Sequence, residues 1–143
     1  MEPALHVSLN VSDVRHARDF YAAFFGTAPV KEKPGYVKFV TTAPALHLAL
    51  NEAGRKPDPN GSLSHLGIRV TSTGEVDEWK ARATERGVAS FDEKDTTCCY
   101  ARQDKFWVSD PDGNRWEVYA VLEDVELPVA PAEVACCAST CCA

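Results

Sequence analysis

The sequence contains one pattern twice. "HVSLNV" at 6–11 and "HLGIRV" at 65–70 each place a histidine before alternating apolar residues, which is typical of a strand with one buried face. An amphipathic helical segment follows each of these strands, and three further strand-like runs follow each helix. Those runs cover 28–32, 35–41, 45–51, 89–94, 103–109 and 115–122. The sequence therefore predicts an α+β fold made of two tandem βαβββ modules.

Both predicted helices have signals at their ends. The first covers about 13–25, with Ser12 or Asp13 as its cap and a glycine directly after it. The second covers about 74–86, where Ser72 precedes Glu75 at the spacing of a capping box. These signals place one helix after the first strand of each module.

Composition and segment boundaries predict a single domain over 1–125. Module one covers 1–55 and module two covers 60–125, joined by a linker rich in Pro, Gly and polar residues. After residue 125 the periodicity ends in a Pro/Ala-rich stretch, so we expect 126–143 to be a flexible tail. A chain of 143 residues suits one such compact unit.

Charge and hydropathy exclude several classes of function. The chain has 15 basic and 21 acidic residues, with a net charge of -6, and no basic run of the kind that nucleic acid binding needs. The N-terminus lacks the charged and apolar regions of a signal peptide, and no apolar run approaches membrane-spanning length. We therefore expect a cytoplasmic protein with neither nucleic acid nor membrane as a partner.

Four side chains that can bind metal are predicted on the non-core faces of strands. In a strand, residues two apart share a face, so the apolar face formed by Leu5, Val7, Leu9 and Val11 leaves His6 on the other side. The same alternation places His47, His65 and Glu117 away from the core. The matching positions of His6 and His65 in the two repeats favour a functional role over scattered surface groups.

Two imidazoles and one carboxylate would form a facial triad, the set that holds Fe(II) and leaves positions open for oxygen and substrate. We therefore predict His6, His65 and Glu117 as the metal ligands and catalytic residues. His47 occupies the place in module one that corresponds roughly to Glu117. It is a fourth ligand, a residue that supports a ligand, or neither.

The cysteines form three adjacent pairs, and one pair lies within the second module. Cys98 and Cys99 lack the gap that a structural zinc site needs. They are explained best if 95–102 form a loop in which both sulfurs turn toward one soft, thiophilic centre such as trivalent arsenic. Burial as small hydrophobic residues, or a strained disulfide between neighbours, are the alternatives.

The remaining cysteines lie in the predicted tail. They are Cys136, Cys137, Cys141 and Cys142. These thiols either capture substrate or belong to a low-complexity segment without a role, and the sequence favours neither interpretation.

The paired modules resemble the vicinal oxygen chelate superfamily, which includes glyoxalase I, extradiol dioxygenases and bleomycin or fosfomycin resistance proteins. Over 4–122, the stretches "KPGYVKFV", "LSHLGIRV", "TTCCYARQDKFWV" and "NRWEVYAV" are similar to its branch of carbon–arsenic lyases and cadmium-induced proteins. "TTCCYA" followed by "QDK" is the diagnostic element, because the modules alone indicate only the superfamily. The fold implied is a vicinal oxygen chelate domain with curved mixed sheets.

This resemblance implies a nonheme Fe(II) enzyme that uses O2 to cleave trivalent organoarsenicals, including methylarsenite. It implies that Cys98 and Cys99 bind the arsenic, that His65 and Glu117 bind iron, and that His6 fills the position of the first-strand ligand. Some relatives carry Gln at that position. Tyr100, Lys105 and Trp107 lie near the thiols in the sequence and are candidates for shaping the pocket, although core packing explains Trp107 as well.

Two rival functions stay open in the sequence. A noncatalytic protein that sequesters cadmium or arsenite needs the thiols but not the triad. A glyoxalase-type metalloenzyme needs four metal ligands but not Cys98 and Cys99. The sequence also leaves open whether the modules complete one site within a chain or across a homodimer.

Overall fold

A computed structural model of the chain describes residues 3–56, 58, 60–98 and 101–124. Within these ranges a strand, a helix and three strands follow one another twice, which confirms the α+β class and the duplicated βαβββ pattern. The predicted tail lies outside the described residues. No helix in the described ranges is long and apolar enough to cross a membrane.

The elements of the two modules correspond one to one. Module one contains β1 (Leu5–Val11), α1 (Val14–Phe25), β2 (Lys31–Lys33), β3 (Tyr36–Thr42) and β4 (Ala45–Glu52). Module two contains β5 (Leu66–Arg69), α2 (Thr73–Glu85), β6 (Phe91–Cys98), β7 (Ala101–Ser109) and β8 (Arg115–Asp124). Each module forms one four-stranded sheet, in the orders β1-β4-β3-β2 and β5-β8-β7-β6. In both sheets the first strand pairs in parallel with the last, and the other pairs are antiparallel.

Helix α1 begins and ends as its sequence predicts. The side chain of Asp13 accepts hydrogen bonds from the backbone N–H groups of Arg15 and His16, which have no partner inside the helix. Gly26 ends the helix in the left-handed conformation, with φ of 65°. One apolar face is buried: Val14, Ala17, Tyr21 and Phe24.

Helix α2 has a modified capping box. Ser72 is the cap, and its hydroxyl accepts a hydrogen bond from the backbone N–H of Glu75. The Glu75 carboxylate, however, accepts from the backbone N–H and the hydroxyl of Thr71, one residue before the cap. These hydrogen bonds to Thr71 lower the pKa of Glu75.

The two modules share one core. Tyr21 on α1 donates a hydrogen bond to Asp110 at 2.7 Å and accepts one from the indole of Trp116 at 3.1 Å, so it reaches across to the second sheet. Burial, followed by the neighbouring Asp110 carboxylate, raises the pKa of Tyr21 well above its ordinary value. Phe24 on the same helix contacts both Trp116 and Trp79 of α2. The helices thus lie against the apolar faces of both sheets.

The predicted burial of the first strand is wrong at its first residue. Leu5 was expected on the buried face of the first strand, but its side chain is 66% exposed. Burial along β1 begins further on and is complete at Leu9 and Val11. Leu5 is the first residue of the strand and lies outside the buried core of the described residues.

The expectation of a loop at 95–102 is also wrong for most of that segment. Strand β6 continues to Cys98, and Cys98 pairs with Ala101, the first residue of β7. The β-branched pair Thr96 and Thr97 favours extended backbone, which explains why the strand continues to the thiol. Cys99 lies outside the described residues.

Candidate metal centre

The structure brings two of the three predicted ligands together. His65 directly precedes β5, and Glu117 lies on the adjacent parallel strand β8. The Nε2 atom of His65 lies 3.5 Å from Oε1 of Glu117. Their side chains are 23% and 11% exposed, so the pair is largely shielded from solvent but still accessible.

Gly67 makes this approach sterically possible. It is the register partner of Glu117 on β5. A Cβ atom at Gly67 would lie 3.1 Å from Cγ and 3.3 Å from Oε1 of Glu117, which is tighter than ordinary contact. The absence of a side chain therefore lets Glu117 lie across β5 beside His65.

A buried lysine holds the other oxygen of the carboxylate. Lys105 on β7 donates from Nζ to Oε2 of Glu117 at 2.9 Å, and its side chain is 2% exposed. Sequence reasoning placed Lys105 only near the thiols. Its position two residues from Trp107 on the same strand was the available signal that these two side chains share a face.

Aromatic and cationic groups enclose the pair. Trp107 is fully buried although it lies on the non-core face, and the ring of His65 meets it edge-on at 5.1 Å between centroids. The guanidinium of Arg115 lies 4.4 Å from the centre of the Trp107 ring, and Phe91 stacks on that ring at 6.3 Å. Module two thus has a small packed cluster on the face opposite the main core.

The third predicted ligand lies in module one beside another histidine. His6 on β1 and His47 on β4 are register partners on neighbouring parallel strands. His6 is exposed and His47 is half-buried. Within the described ranges no three His, Cys, Asp or Glu side chains come close enough to hold a metal ion. His6 therefore does not join His65 and Glu117 in one described chain.

The strand register changes the position assigned to His47. Leu66 pairs with Trp116 in module two, and Val7, its counterpart in the repeat, pairs with Leu48 in module one. One residue further along each strand, Glu117 therefore corresponds to Ala49. His47 lies two residues away, at the place of Arg115, and the side chain at the place of Glu117 is a buried methyl group.

The predicted arsenic site lies at the far end of the second sheet. Cys98 pairs with Ala101, whereas Glu117 pairs with Trp107 further along the same β7 strand. From Ala101 to Trp107 an extended strand rises about 20 Å. Within one chain, the structure does not place Cys98 beside Glu117.

The hairpin that carries Cys98 departs from regular geometry near its base. Its strand register shifts between Glu93 and Thr96, and Asp95 has a φ of 50°. Asp104 fixes this point: it accepts hydrogen bonds from the backbone N–H of Asp95 and from the hydroxyl of Thr73 at the start of α2. A β-bulge of this kind bends a ribbon and increases its twist.

Comparison with known proteins agrees with this architecture. Residues 4–118 match the family model described as Glyoxalase/Bleomycin resistance protein/Dioxygenase superfamily. A solved glyoxalase/bleomycin resistance protein/dioxygenase from Alicyclobacillus acidocaldarius superposes with a TM-score of 0.69 at 19% identity, covering 85% of this chain and 92% of that one. At that identity the likeness concerns the fold alone.

Curated relatives are more similar in sequence. A trivalent organoarsenical cleaving enzyme from Bacillus sp. (strain MD1) is 47% identical over 123 residues, which cover 85% of this chain and 74% of the relative. The cadmium-induced protein CadI from Mycobacterium tuberculosis (strain ATCC 25618 / H37Rv) is 46% identical over 122 residues, which cover 85% and 78%. The names of these two relatives refer to cleavage of trivalent organoarsenicals and to induction by cadmium.

Proposed function

Since the chain belongs to the glyoxalase/bleomycin resistance protein/dioxygenase superfamily, we propose that it cleaves the carbon–arsenic bond of trivalent organoarsenicals such as methylarsenite, with Fe(II) and O2. The relative named as a trivalent organoarsenical cleaving enzyme supports this substrate class. The observation that carries the proposal is the pair of His65 and Glu117, an imidazole and a carboxylate 3.5 Å apart on a glycine-lined, half-enclosed face.

The donor set fits a divalent metal. Neutral imidazole nitrogen and carboxylate oxygen are the ligands of nonheme iron sites. His6, His65 and Glu117 would hold the ion, and Fe(II) bound there supplies the centre at which O2 is activated. Ala49 supports a site with three protein ligands, because its methyl group cannot supply a fourth.

We further propose that two copies of the chain complete each site. His6 lies on the non-core face of the first sheet, and the pair of His65 and Glu117 lies on the non-core face of the second. No group of three ligands forms among the described residues of one chain. A second copy of the chain, with its first module packed on the second module of the first copy, would supply the missing histidine. In a two-fold dimer each copy does this for the other, so two complete sites form.

In this proposal Cys98 and Cys99 capture the arsenic. Two adjacent thiolates suit a trivalent, thiophilic centre that keeps its carbon substituent. Because Cys98 lies about 20 Å along the ribbon from the level of Glu117, the function requires the thiol pair and the metal pair to come closer once substrate is bound. The carbon–arsenic bond is then held in place for attack.

The reaction balances with one molecule of O2. Methylarsenite and O2 give formaldehyde and arsenite, so carbon leaves arsenic and carries one oxygen atom while arsenic gains the other as hydroxide. Both electron pairs needed to reduce O2 come from the methyl group and the broken bond. No external reductant is required.

A second candidate function is sequestration without turnover. The relative named as a cadmium-induced protein favours it, and so does the separation of Cys98 from Glu117. Such a protein would bind thiophilic ions through its cysteines and would not need the ligand pair. A glyoxalase-type site with four ligands is disfavoured by Ala49.

The decisive test is anaerobic loading of the protein with Fe(II), followed by methylarsenite, O2 and identification of the arsenic product. We expect arsenite and formaldehyde in equal amounts, and only when both Fe(II) and O2 are present. Binding of methylarsenite without any O2-dependent cleavage would overturn the proposal in favour of sequestration.

A matched pair of variants identifies the thiols that matter. Cys98→Ser is made in a full-length chain whose tail cysteines, Cys136, Cys137, Cys141 and Cys142, are all serine, and that chain is the control. One remaining thiolate cannot chelate, so cleavage should vanish while Fe(II) binding persists. If Cys98→Ser cleaves methylarsenite at the control rate, Cys98 and Cys99 are not the substrate-binding thiols.

A further inference from the structure

Lys105 is a cation in an unusual position. Its side chain is 2% exposed, although it lies on the non-core face of the second sheet. Its ammonium group lies 2.9 Å from Oε2 of Glu117, 5.5 Å from the centre of the Trp107 ring and 6.0 Å from that of Tyr119. The rings of Trp107 and Tyr119 therefore flank the ammonium group. The cation–π attraction of both ring faces limits the movement of this group.

The two oxygens of Glu117 have different neighbours. Oε1 faces Nε2 of His65 at 3.5 Å, whereas Oε2 accepts a charged hydrogen bond from Lys105. We infer that Lys105 is a positioning residue, which reserves Oε2 so that Glu117 binds the metal through Oε1 alone. This inference rests on the proposed function, because it assumes that the pair of His65 and Glu117 holds a metal.

The consequence is a more open metal site. A carboxylate that binds through both oxygens takes two coordination positions, and one that binds through a single oxygen takes one. Together with Ala49 in place of a fourth ligand, this restriction keeps positions free for O2 and for the arsenical.

Stability alone does not explain the arrangement. Desolvating two charges costs about as much as their attraction returns, so a buried ion pair is weak evidence for stabilisation. A surface pair in the same module, Lys80 with Asp92, stays partly exposed and links α2 to β6. Lys105 instead donates a buried hydrogen bond to Glu117, the carboxylate that faces the candidate ligand His65.

The test uses Co(II) in place of Fe(II), bound to the full-length protein with its thiols blocked by methyl methanethiosulfonate. The visible bands of Co(II) weaken as its coordination number rises. In Lys105→Met, Glu117 is free to bind through both oxygens, so we expect the molar absorbance per bound Co(II) to fall by about twofold or more. Lys105→Arg, which still donates to Oε2, should restore the bands, and Lys80→Met is the matched control.

A merely structural lysine gives a different result. Its removal would lower the melting temperature or the amount of bound Co(II), but it would leave the spectrum per bound ion unchanged. Unchanged bands in a folded, loaded Lys105→Met variant overturn the inference. If the unmodified protein binds no Co(II) or Fe(II), the proposed metal site itself is wrong, and if it binds metal without cleaving arsenicals, the Lys105 result still stands.

A second pair of variants keeps the test valid if Lys105→Met does not fold. In Glu117→Gln, Lys105 should hold the amide oxygen and turn the amide nitrogen toward the metal, so Co(II) binding should nearly disappear. The double variant Glu117→Gln/Lys105→Met has a neutral pair at these two positions, and its amide oxygen is free to turn toward the metal. Its affinity for Co(II) should therefore be about tenfold or more above that of Glu117→Gln. Arg115→Met in the same background is the control for loss of a nearby cation. No gain with Lys105→Met, or an equal gain with Arg115→Met, overturns the inference.

Discussion

The two modules have the same scaffold but different non-core faces. Both sheets have the same strand order, and both place a histidine at the start of a strand that runs parallel to the last strand of its module. In module two that face is packed, since Trp107, Lys105 and Glu117 are all buried. In module one the corresponding face has an exposed His6 and a neutral hydrogen bond from Asn51 to Ser8.

This difference shows how one repeated unit can serve two roles at a single site. In the proposed site, module two holds a prearranged pair of ligands, and Lys105 and Gly67 control the geometry of Glu117. Module one supplies His6, with His47 beside it, and has Ala49 at the place of Glu117. A regular scaffold therefore decides where ligands can be placed, and the side chains on the non-core face decide how many there are.

The largest effect should come from the ligand pair of module two. Glu117→Gln or His65→Ala should lower turnover and Fe(II) affinity at least about a hundredfold, measured by O2 consumption and metal titration. Glu117→Ala is less informative, because it removes the carboxylate partner of the buried Lys105 ammonium and should cost about 3–5 kcal/mol of unfolding free energy. The comparison between the modules fails if His47→Ala loses as much metal as His65→Ala does.

Ala49→Glu should make the two modules alike. It adds a carboxylate at the counterpart of Glu117, so the site should bind divalent metal about tenfold more tightly and lose O2-dependent cleavage. Metal titration and product analysis measure the two effects. Unchanged affinity would show that Ala49 does not face the metal.

Gly67→Ala should disturb Glu117 without removing it. The new Cβ would lie 3.1 Å from Cγ of Glu117, so the carboxylate must shift by a few tenths of an ångström. We expect about a tenfold loss of metal affinity with little change in thermal stability. Gly74→Ala, where the nearest atom is Oγ of Ser72 at an ordinary 3.6 Å, is the control. Equal metal binding in both variants would exclude the steric role of Gly67.

The smallest effect concerns the contact between the modules. Tyr21→Phe removes one hydrogen bond from Asp110, which keeps Asn114 as a donor, and it removes the acceptor of the buried Trp116 indole. It should therefore cost about 1–3 kcal/mol of unfolding free energy. The raised pKa of Tyr21 adds stability that is complete below the pKa of an unfolded tyrosine, about 10, and is lost as the pH rises above it. Chemical denaturation at several pH values should show this alkaline loss in the unmodified protein and a smaller one in Tyr21→Phe. An identical pH dependence in the two proteins would show that Tyr21 does not cause the alkaline loss of stability.

The repeat predicted most of the fold. Period-two alternation placed His6, His65 and Glu117 on non-core faces because side chains in a strand must alternate. Caps and glycines located both helices to within about two residues. Leu5 was placed wrongly because alternation identifies a face of the strand but not how far along the strand burial extends.

The partners of each side chain were harder to predict. The ion pair between Lys105 and Glu117 depends on the register between β7 and β8, which local sequence does not reveal. Ala49 was missed for the same reason, since only the pairing of β1 with β4 aligns it with Glu117. The distance of Cys98 from Glu117 arises because strands β6 and β7 extend into 95–102, where the sequence predicted a loop.

Subunit complementation tests the central claim, that His6 of one copy joins His65 and Glu117 of another. A mixed dimer of one His6→Ala chain and one Glu117→Gln chain, isolated through two different affinity tags, has one site in which all three ligands are intact. Each variant alone should be inactive, and the mixed dimer should recover about half of the O2-dependent methylarsenite cleavage of the unmodified protein. A mixed dimer as inactive as its parents would contradict the account.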